Sequence, residues 1–472
     1  MIDFYHDFKP IRNRIRKLDL LFGLEKIYSL TYAKKPAIIP ELAEFIFINL
    51  LIYAEVRTRT NNDYKLLNDI LRSCETLKNN ITEKQIKENI WRWLHTMSLN
   101  QLKANHNHYY NIIFRYYTIF SNDQISNHIE KKFGISYKSF FTCALWLHSV
   151  FSNQMSRPKC YFTSKNNGGP MFSKKNMETT IALLSSPLSE LKAILKEEVR
   201  YNENIFITQG YPHIRYPIFE LDEILYCMYP DHLLNQLTAG IYYLAEIGEN
   251  EHGLSKAYGD GFERYLGIVL TKLNSQHNYT IYPEIQYNIG KNQKKSSDWI
   301  IETNDAIVFI ECKTKKLRLK SKDIKGDEEY LREDIQHMVN AAVQLYKVYN
   351  HYLDGQIPSL IFDPKKRFFP LVVTLEDWFA GSPDIAEDIN TGIIAYFKQT
   401  GADTSIIDRF PFRSYSVNQL EIDIQLMFKL GFVQYFNRLE TGEIIDSDRK
   451  NAPYINYFID DFETEFITPL KL

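Results

Sequence analysis

Three residues in one stretch of this sequence have the types and spacing to do chemistry on a phosphate. In SSDWIIETNDAIVFIECKTKK, residues 296 to 316, Asp298 precedes an apolar run, Glu311 closes a second one, and Lys313 follows two positions later. Charges at the end of an apolar strand are costly unless something is made of them. Two carboxylates held close together repel, and a hard divalent cation between them removes the repulsion. Mg2+ suits such a pair, because it takes one or two carboxylates together with waters and substrate phosphate oxygens, and Mn2+ accepts the same ligand types. A lysine at position 313 can orient or help deprotonate a metal-bound water and stabilise charge developing in the transition state. The tripeptide Glu-x-Lys carries no weight alone, since it recurs at Glu130-Lys131-Lys132 and Glu190-Leu191-Lys192. The strand context carries the signal.

That context is a hairpin. If SSDWIIET and AIVFIECK are antiparallel strands joined by the two-residue turn Asn304-Asp305, Asp298 falls directly opposite Glu311. Period-two alternation then puts Ile307, Phe309, Glu311 and Lys313 on one face, and Val308, Ile310 and Cys312 on the other. A slip of one residue would separate the carboxylates. Around the hairpin, EHGLSKAYGDGFERYLGIVLTKLNSQ reads as a helix and YTIYPEIQYNI as a first strand. DEEYLREDIQHMVNAAVQLYKVYNHYL (327–353) reads as a long helix with acidic first turns, and KRFFPLVVTLEDWF as a strand buried on both faces. The order is αβββαβ, a mixed sheet with helices packed on it. PFRSYSVNQLEIDIQLMFKLGF (411–432) adds a strand and a helix.

Asp298, twelve intervening residues, then Glu311-Cys312-Lys313, within this element order, resembles the PD-(D/E)xK nuclease superfamily, the restriction-endonuclease-like fold. The resemblance covers about residues 250–380 and leaves the first half unexplained. It implies that Asp298 and Glu311 are metal ligands and Lys313 the catalytic lysine. It further implies a glutamate facing the site from the first core helix, for which GDGFERYLG offers Glu263. From the second helix it implies a glutamine, for which Gln344 in the apolar AAVQLY face is preferred over Gln336. Two departures stand out: Ser297 occupies the place of the named proline, and Val348 the place of the tyrosine in a QxxxY pattern. The activity implied is Mg2+-dependent phosphodiester hydrolysis, endonucleolytic and on DNA in preference to RNA, with bacterial anti-phage defence as a setting. A different reading, without chemistry, is a protein that binds nucleic acid without cutting it or serves as a structural component of a larger complex.

A formal net charge of −2 means that a polyanion must be gripped locally. KTKKLRLKSKDIK (313–325) supplies the patch, with Lys315, Lys316, Arg318, Lys320 and Lys322 as phosphate contacts. Two weaker candidates lie upstream. The segment TSKNNGGPMFSKKN (163–176) is a lysine-bearing loop, and residues 122–146 have the form of a helix-turn-helix around Gly134.

At 472 residues, the chain exceeds one ordinary core. Helical periodicity prevails to about residue 248, as in PELAEFIFINLLIYAEV (40–56), EKQIKENIWRWLHTMSL (83–99), YKSFFTCALWLHSVFSNQM (137–155) and DHLLNQLTAGIYYLAEI (231–247). The expectation is an α+β multidomain protein: an all-helical, aromatic-rich region over 1–248 for recognition, regulation or assembly, then the nuclease-like mixed sheet over 249–472. Self-assembly or a partner protein would engage the first region. Five scattered cysteines without a CxxC pair suit a reduced, cytoplasmic setting and no disulfide framework. The N-terminus has no secretory pattern, and the longest apolar run, FIFINLLIYA, is about half a bilayer span, so no membrane is expected.

Overall fold

The computed structural model describes residues 4–32, 37–58, 60, 63–88, 90, 93, 109–164, 173–199, 201, 212–248, 253–275, 277–317, 328–378, 383–443 and 446–451. The chain forms two compact units, one from residues 1–106 and 123–254, the other from 107–122 and 255–471. The sequence reading assigned everything before 249 to one region, whereas the second unit takes the helix Tyr109–Phe120 as well.

The first unit is mainly helical. Its central helix, Pro40–Tyr53, buries every residue from Leu42 to Ile52, as expected of a helix that is apolar all round. Asn49 is tolerated there because its amide donates to the Phe45 carbonyl at 2.7 Å and accepts from the Tyr201 hydroxyl at 2.8 Å. The unit is not all-helical. A four-stranded sheet in the order β1-β4-β3-β2 is built from β1 (Ser156–Pro158), β2 (Ser185–Pro187), β3 (Ile218–Leu221) and β4 (Ile224–Cys227). Three- and four-residue strands are too short to display a period, and Ser-Arg-Pro and Ser-Ser-Pro read as turns. The β3–β4 turn puts Asp222 and Glu223 at φ 50° and 58°, the left-handed pair that a two-residue hairpin needs, without the glycine that would have signalled it.

The helix-turn-helix candidate is a real pair of helices, Asp123–Phe133 and Tyr137–Asn153, with Gly134 at φ 70° between them. Its second helix is mostly core, with Tyr137, Phe140, Phe141, Trp146 and Leu147 among its buried residues and Lys138, Ser149, Ser152 and Asn153 exposed. Most of the lysine-bearing loop, 165–172, lies outside the described residues.

The second unit holds a five-stranded mixed sheet in the order β11-β10-β9-β8-β5. Its strands are β5 (Thr280–Pro283), β8 (Trp299–Glu302), β9 (Ala306–Lys313), β10 (Arg367–Thr374) and β11 (Arg413–Ser416). β5, β8 and β9 run antiparallel, while β9, β10 and β11 are parallel. The run YTIYPEIQYNI is not one strand: β6 (Gln286–Ile289) leaves the sheet after Pro283 and pairs with β7 (Asn292–Lys295) as a separate ribbon. Apart from that ribbon, the elements follow the expected order.

Helices cover both faces of this sheet. Phe309 of β9 meets Tyr349 and Tyr352 of the helix Glu328–Leu353, with ring centroids 6.5 and 6.0 Å apart. On the opposite face Trp299 lies over the helix Leu254–Asn274 and donates from its indole to the Glu263 carbonyl at 3.0 Å. Gly267 makes room for the ring, since a Cβ there would overlap it. Gly267→Ala should therefore lower stability by about 1–3 kcal/mol in chemical denaturation, because overlap outweighs the helix propensity an alanine adds. A variant as stable as wild type would show that the indole can swing clear. Among the described residues, no helix is long and apolar enough to cross a membrane.

Candidate active site

The site is set by the turn between β8 and β9. Thr303 organises it: the backbone N–H groups of Asp305 and Ala306 donate to the Thr303 hydroxyl, which in turn donates to the Asp305 carboxylate at 2.8 Å. The Thr303 N–H donates to the Ala306 carbonyl at 2.9 Å. The resulting pairs, Glu302 with Ile307 through Trp299 with Ile310, are those the sequence register requires. The ladder ends there, one residue short of Asp298 and Glu311, and Asp298 Oδ2 accepts the Cys312 N–H at 2.6 Å.

Glu311 lies between β8 and the parallel strand β10, where its partner is Val372, and is only 2% exposed. Its Oε1 accepts from Lys313 Nζ at 2.6 Å, and its buried Oε2 has no hydrogen-bond partner. A buried acceptor left in this state is expensive for a fold to keep. Burial pushes the Glu311 carboxyl up to about 8, helped by the charge of Asp298 and opposed by Lys313. Burial also raises Asp298, against its backbone hydrogen bond and Lys313. For Lys313, burial alone would lower the pKa, but the contact with Glu311 and the charge of Asp298 carry it above the ordinary lysine value. Cys312 is buried, and burial together with the charges of Asp298, Glu263 and Glu311 pushes its thiol up.

Glu263 joins the same electrostatic field. Its carboxyl is pushed up to about 7, first by burial and then by Asp298, Asp260 and Glu284, with Lys313 opposing. Gln344 lines a cavity of about 250 Å³ together with Lys313, Lys315, His337, Asn340 and Trp378. Gln336 is not in that lining but is exposed and donates to Asn340, which is, at 2.9 Å. The basic patch is only partly a patch. Lys315 is exposed, but Lys316 turns inward to Glu376 at 3.0 Å with 11% of its side chain exposed, while Arg318, Lys320 and Lys322 lie outside the described residues.

The sequence reading missed Asp260 and Glu284, which enlarge the negative field, and Lys295, which pairs with Glu284 at 2.9 Å. It also missed His337 and Asn340, although their spacing to Gln344 on the long helix is that of one helical face. Among the described residues, no group of three or more His, Cys, Asp or Glu is placed to hold a metal ion. The donor set is the two carboxylates, and the unpartnered Oε2 of Glu311 fits a cation of the Mg2+ type, which completes its shell with water and phosphate oxygens.

A pH dependence follows from Glu311. The folded state holds this proton more tightly than the unfolded chain, so its stabilising effect is complete in the ordinary carboxylate range and is lost as the pH rises through about 8. Metal-free protein should lose melting temperature between pH 6 and pH 9, and Glu311→Gln should lose less. Parallel losses in the two proteins would show that the proton resides elsewhere.

Compared with known proteins, no family model matches this chain and no curated protein matches it. Among solved structures, the crystal structure of protein VC1899 from Vibrio cholerae is similar at 13% identity, covering 67% of this chain with a TM-score of 0.21. This chain spans 56% of that protein's length. A likeness of that size defines neither a shared fold nor a shared function. The class defined by the fold itself is a mixed α+β protein, with helices and a small sheet in its first unit and a helix-covered mixed sheet in its second.

Proposed function

We propose that this chain is a metal-dependent nuclease with a restriction-endonuclease-like second unit, hydrolysing phosphodiester bonds of DNA in preference to RNA. The observation that carries this reading is Glu311: buried, bonded to Lys313 through one oxygen, unpartnered at the other, and in the field of Asp298, whose carboxylate accepts the N–H of the following residue, Cys312. The order of helices and strands around the hairpin supports the same reading, and a role in anti-phage defence belongs with it.

Asp298 and Glu311 would hold Mg2+, which when bound supplies a Lewis acid for the phosphate and lowers the pKa of a water. Lys313 stays protonated at neutral pH, because its neighbours raise its pKa, and donates to a phosphate oxygen as negative charge develops there. That makes it a charged donor and not a base. Glu263 titrates near 7 and is suited to take up the proton released by the attacking water. Gln344, in the cavity beside Lys313, orients the phosphate or the water through its amide.

The test is incubation of the full chain with labelled DNA and RNA in the presence of Mg2+ or Mn2+, alongside Asp298→Ala and Lys313→Ala. Metal-dependent cleavage that both variants lose is the expected result. Binding without cleavage under every condition would overturn the reading in favour of a non-cleaving nucleic-acid-binding protein.

A further inference from the structure

The β6–β7 ribbon turns one polar face outward. Pairing of Gln286 with Lys295, Tyr287 with Lys294, Asn288 with Gln293 and Ile289 with Asn292 sorts the side chains into two rows. The inward row anchors the ribbon: Tyr287 is 4% exposed in the core, and its hydroxyl bonds to His351 Nδ1 of the long helix at 2.7 Å. The outward row, Gln286, Asn288, Gln293 and Lys295, is exposed and wholly polar, with Gln293 donating to Gln286 at 3.0 Å and Lys295 paired with Glu284 at 2.9 Å. One more exposed cation stands at its tip, Lys291 in the Gly290-Lys291 turn, where Gly290 adopts φ 59°, while Lys294 belongs to the inward row with Tyr287.

The ribbon's base is fixed close to the chemistry. Ser296, 1% exposed, donates its N–H to the Ile285 carbonyl at 2.9 Å, and its hydroxyl accepts the Ile285 N–H at 2.8 Å. Asp298 is two residues further on.

We infer that the β6–β7 ribbon is a recognition arm that enters the major groove of duplex DNA and sets a phosphate against Asp298 and Glu311. This rests on the nuclease reading of the same site. A two-stranded ribbon fits the major groove, and Asn and Gln amides there match the donor and acceptor edge of adenine. Lysines beside such a row meet the phosphates that border the groove. The same features disfavour other polymers. Single strands are held on exposed aromatic rings, and the ribbon's one aromatic residue faces the core. The major groove of duplex RNA is too deep and narrow for side chains to read.

Two variants of the full chain test the arm, both at exposed positions and both checked for wild-type melting temperature. Duplex binding is measured in EDTA against salt concentration, and cut-site sequences are collected from a random duplex library with Mn2+. Lys291→Ala should reduce the slope of log K against log salt by about 1, close to 0.9 for the phosphate no longer neutralised. Asn288→Ala/Gln293→Ala should keep the slope and flatten base preference at the cut site by about tenfold. An unchanged slope, an unchanged base preference, wild-type cutting without preference, or tighter binding of single strands or RNA than of duplex DNA overturns the inference. Because binding is read without metal, a wild type that cuts nothing removes the nuclease reading while the slope still decides the arm.

Discussion

Lys313→Ala is expected to slow metal-dependent cleavage by about 10²–10³-fold, the usual loss when one preorganised charged donor is removed from a developing oxyanion. The lysine acts on charge that appears in the transition state, so the loss should fall on kcat and little on KM. A second effect must be separated from the first. Lys313 opposes the rise in the Glu311 pKa, so without it the carboxyl holds its proton to higher pH and competes more strongly with the metal. At pH 9, where that proton is gone from wild type, the kcat defect should persist and metal affinity should approach wild type. Asp298→Ala should lose metal binding at every pH. If Lys313→Ala recovers full kcat at alkaline pH, the lysine serves only to keep Glu311 ionised and has no part in the chemistry.

The largest expected effect on stability is that of Arg115→Ala, about 3–5 kcal/mol in chemical denaturation. Arg115 is 2% exposed, donates to Glu421 Oε1 from Nε at 2.9 Å and to Asn418 Oδ1 from Nη2 at 2.8 Å. The Tyr265 hydroxyl donates to the same Glu421 oxygen at 2.6 Å. Truncating the arginine leaves a buried carboxylate with no counter-charge, which costs far more than the ion pair itself contributes. The double variant Arg115→Met/Glu421→Met should therefore recover most of the loss, because no charge is then left unpaired. A double variant as unstable as the single one would mean that packing, not charge, is what the arginine provides.

The β8–β9 register was legible because Asn304-Asp305 is a plain turn signal and the strands on either side are dense in Ile, Val and Phe. The pairs from Glu302 with Ile307 to Trp299 with Ile310 follow from the order of residues alone. The ribbon was not legible, since Asn-Gln-Lys-Lys has no strand propensity and owes its conformation to pairing and to the buried Ser296. Nor was the inward turn of Lys316, because a lysine run says nothing about which member finds a carboxylate such as Glu376. Arg115 was missed for the opposite reason. An arginine in a helix usually marks a solvated face, and it is Glu421 and Asn418, distant in sequence, that make its burial tolerable.

The helix Tyr109–Phe120 also bears on how this protein could be divided or recombined. The Arg264 guanidinium donates to its Thr118 carbonyl, and Gly261 lies against Ile119 with no room for a side chain. The chain thus enters the second unit at residue 107, leaves it at 122 and returns at 255. No single cut separates the two units: a C-terminal fragment starting near 249 would carry the whole candidate site yet lack this helix, with Glu421 and Tyr265 stripped of their cover. The second unit is heritable as a working piece only together with a segment encoded more than a hundred residues upstream, so swapping one half of the gene for another would break it.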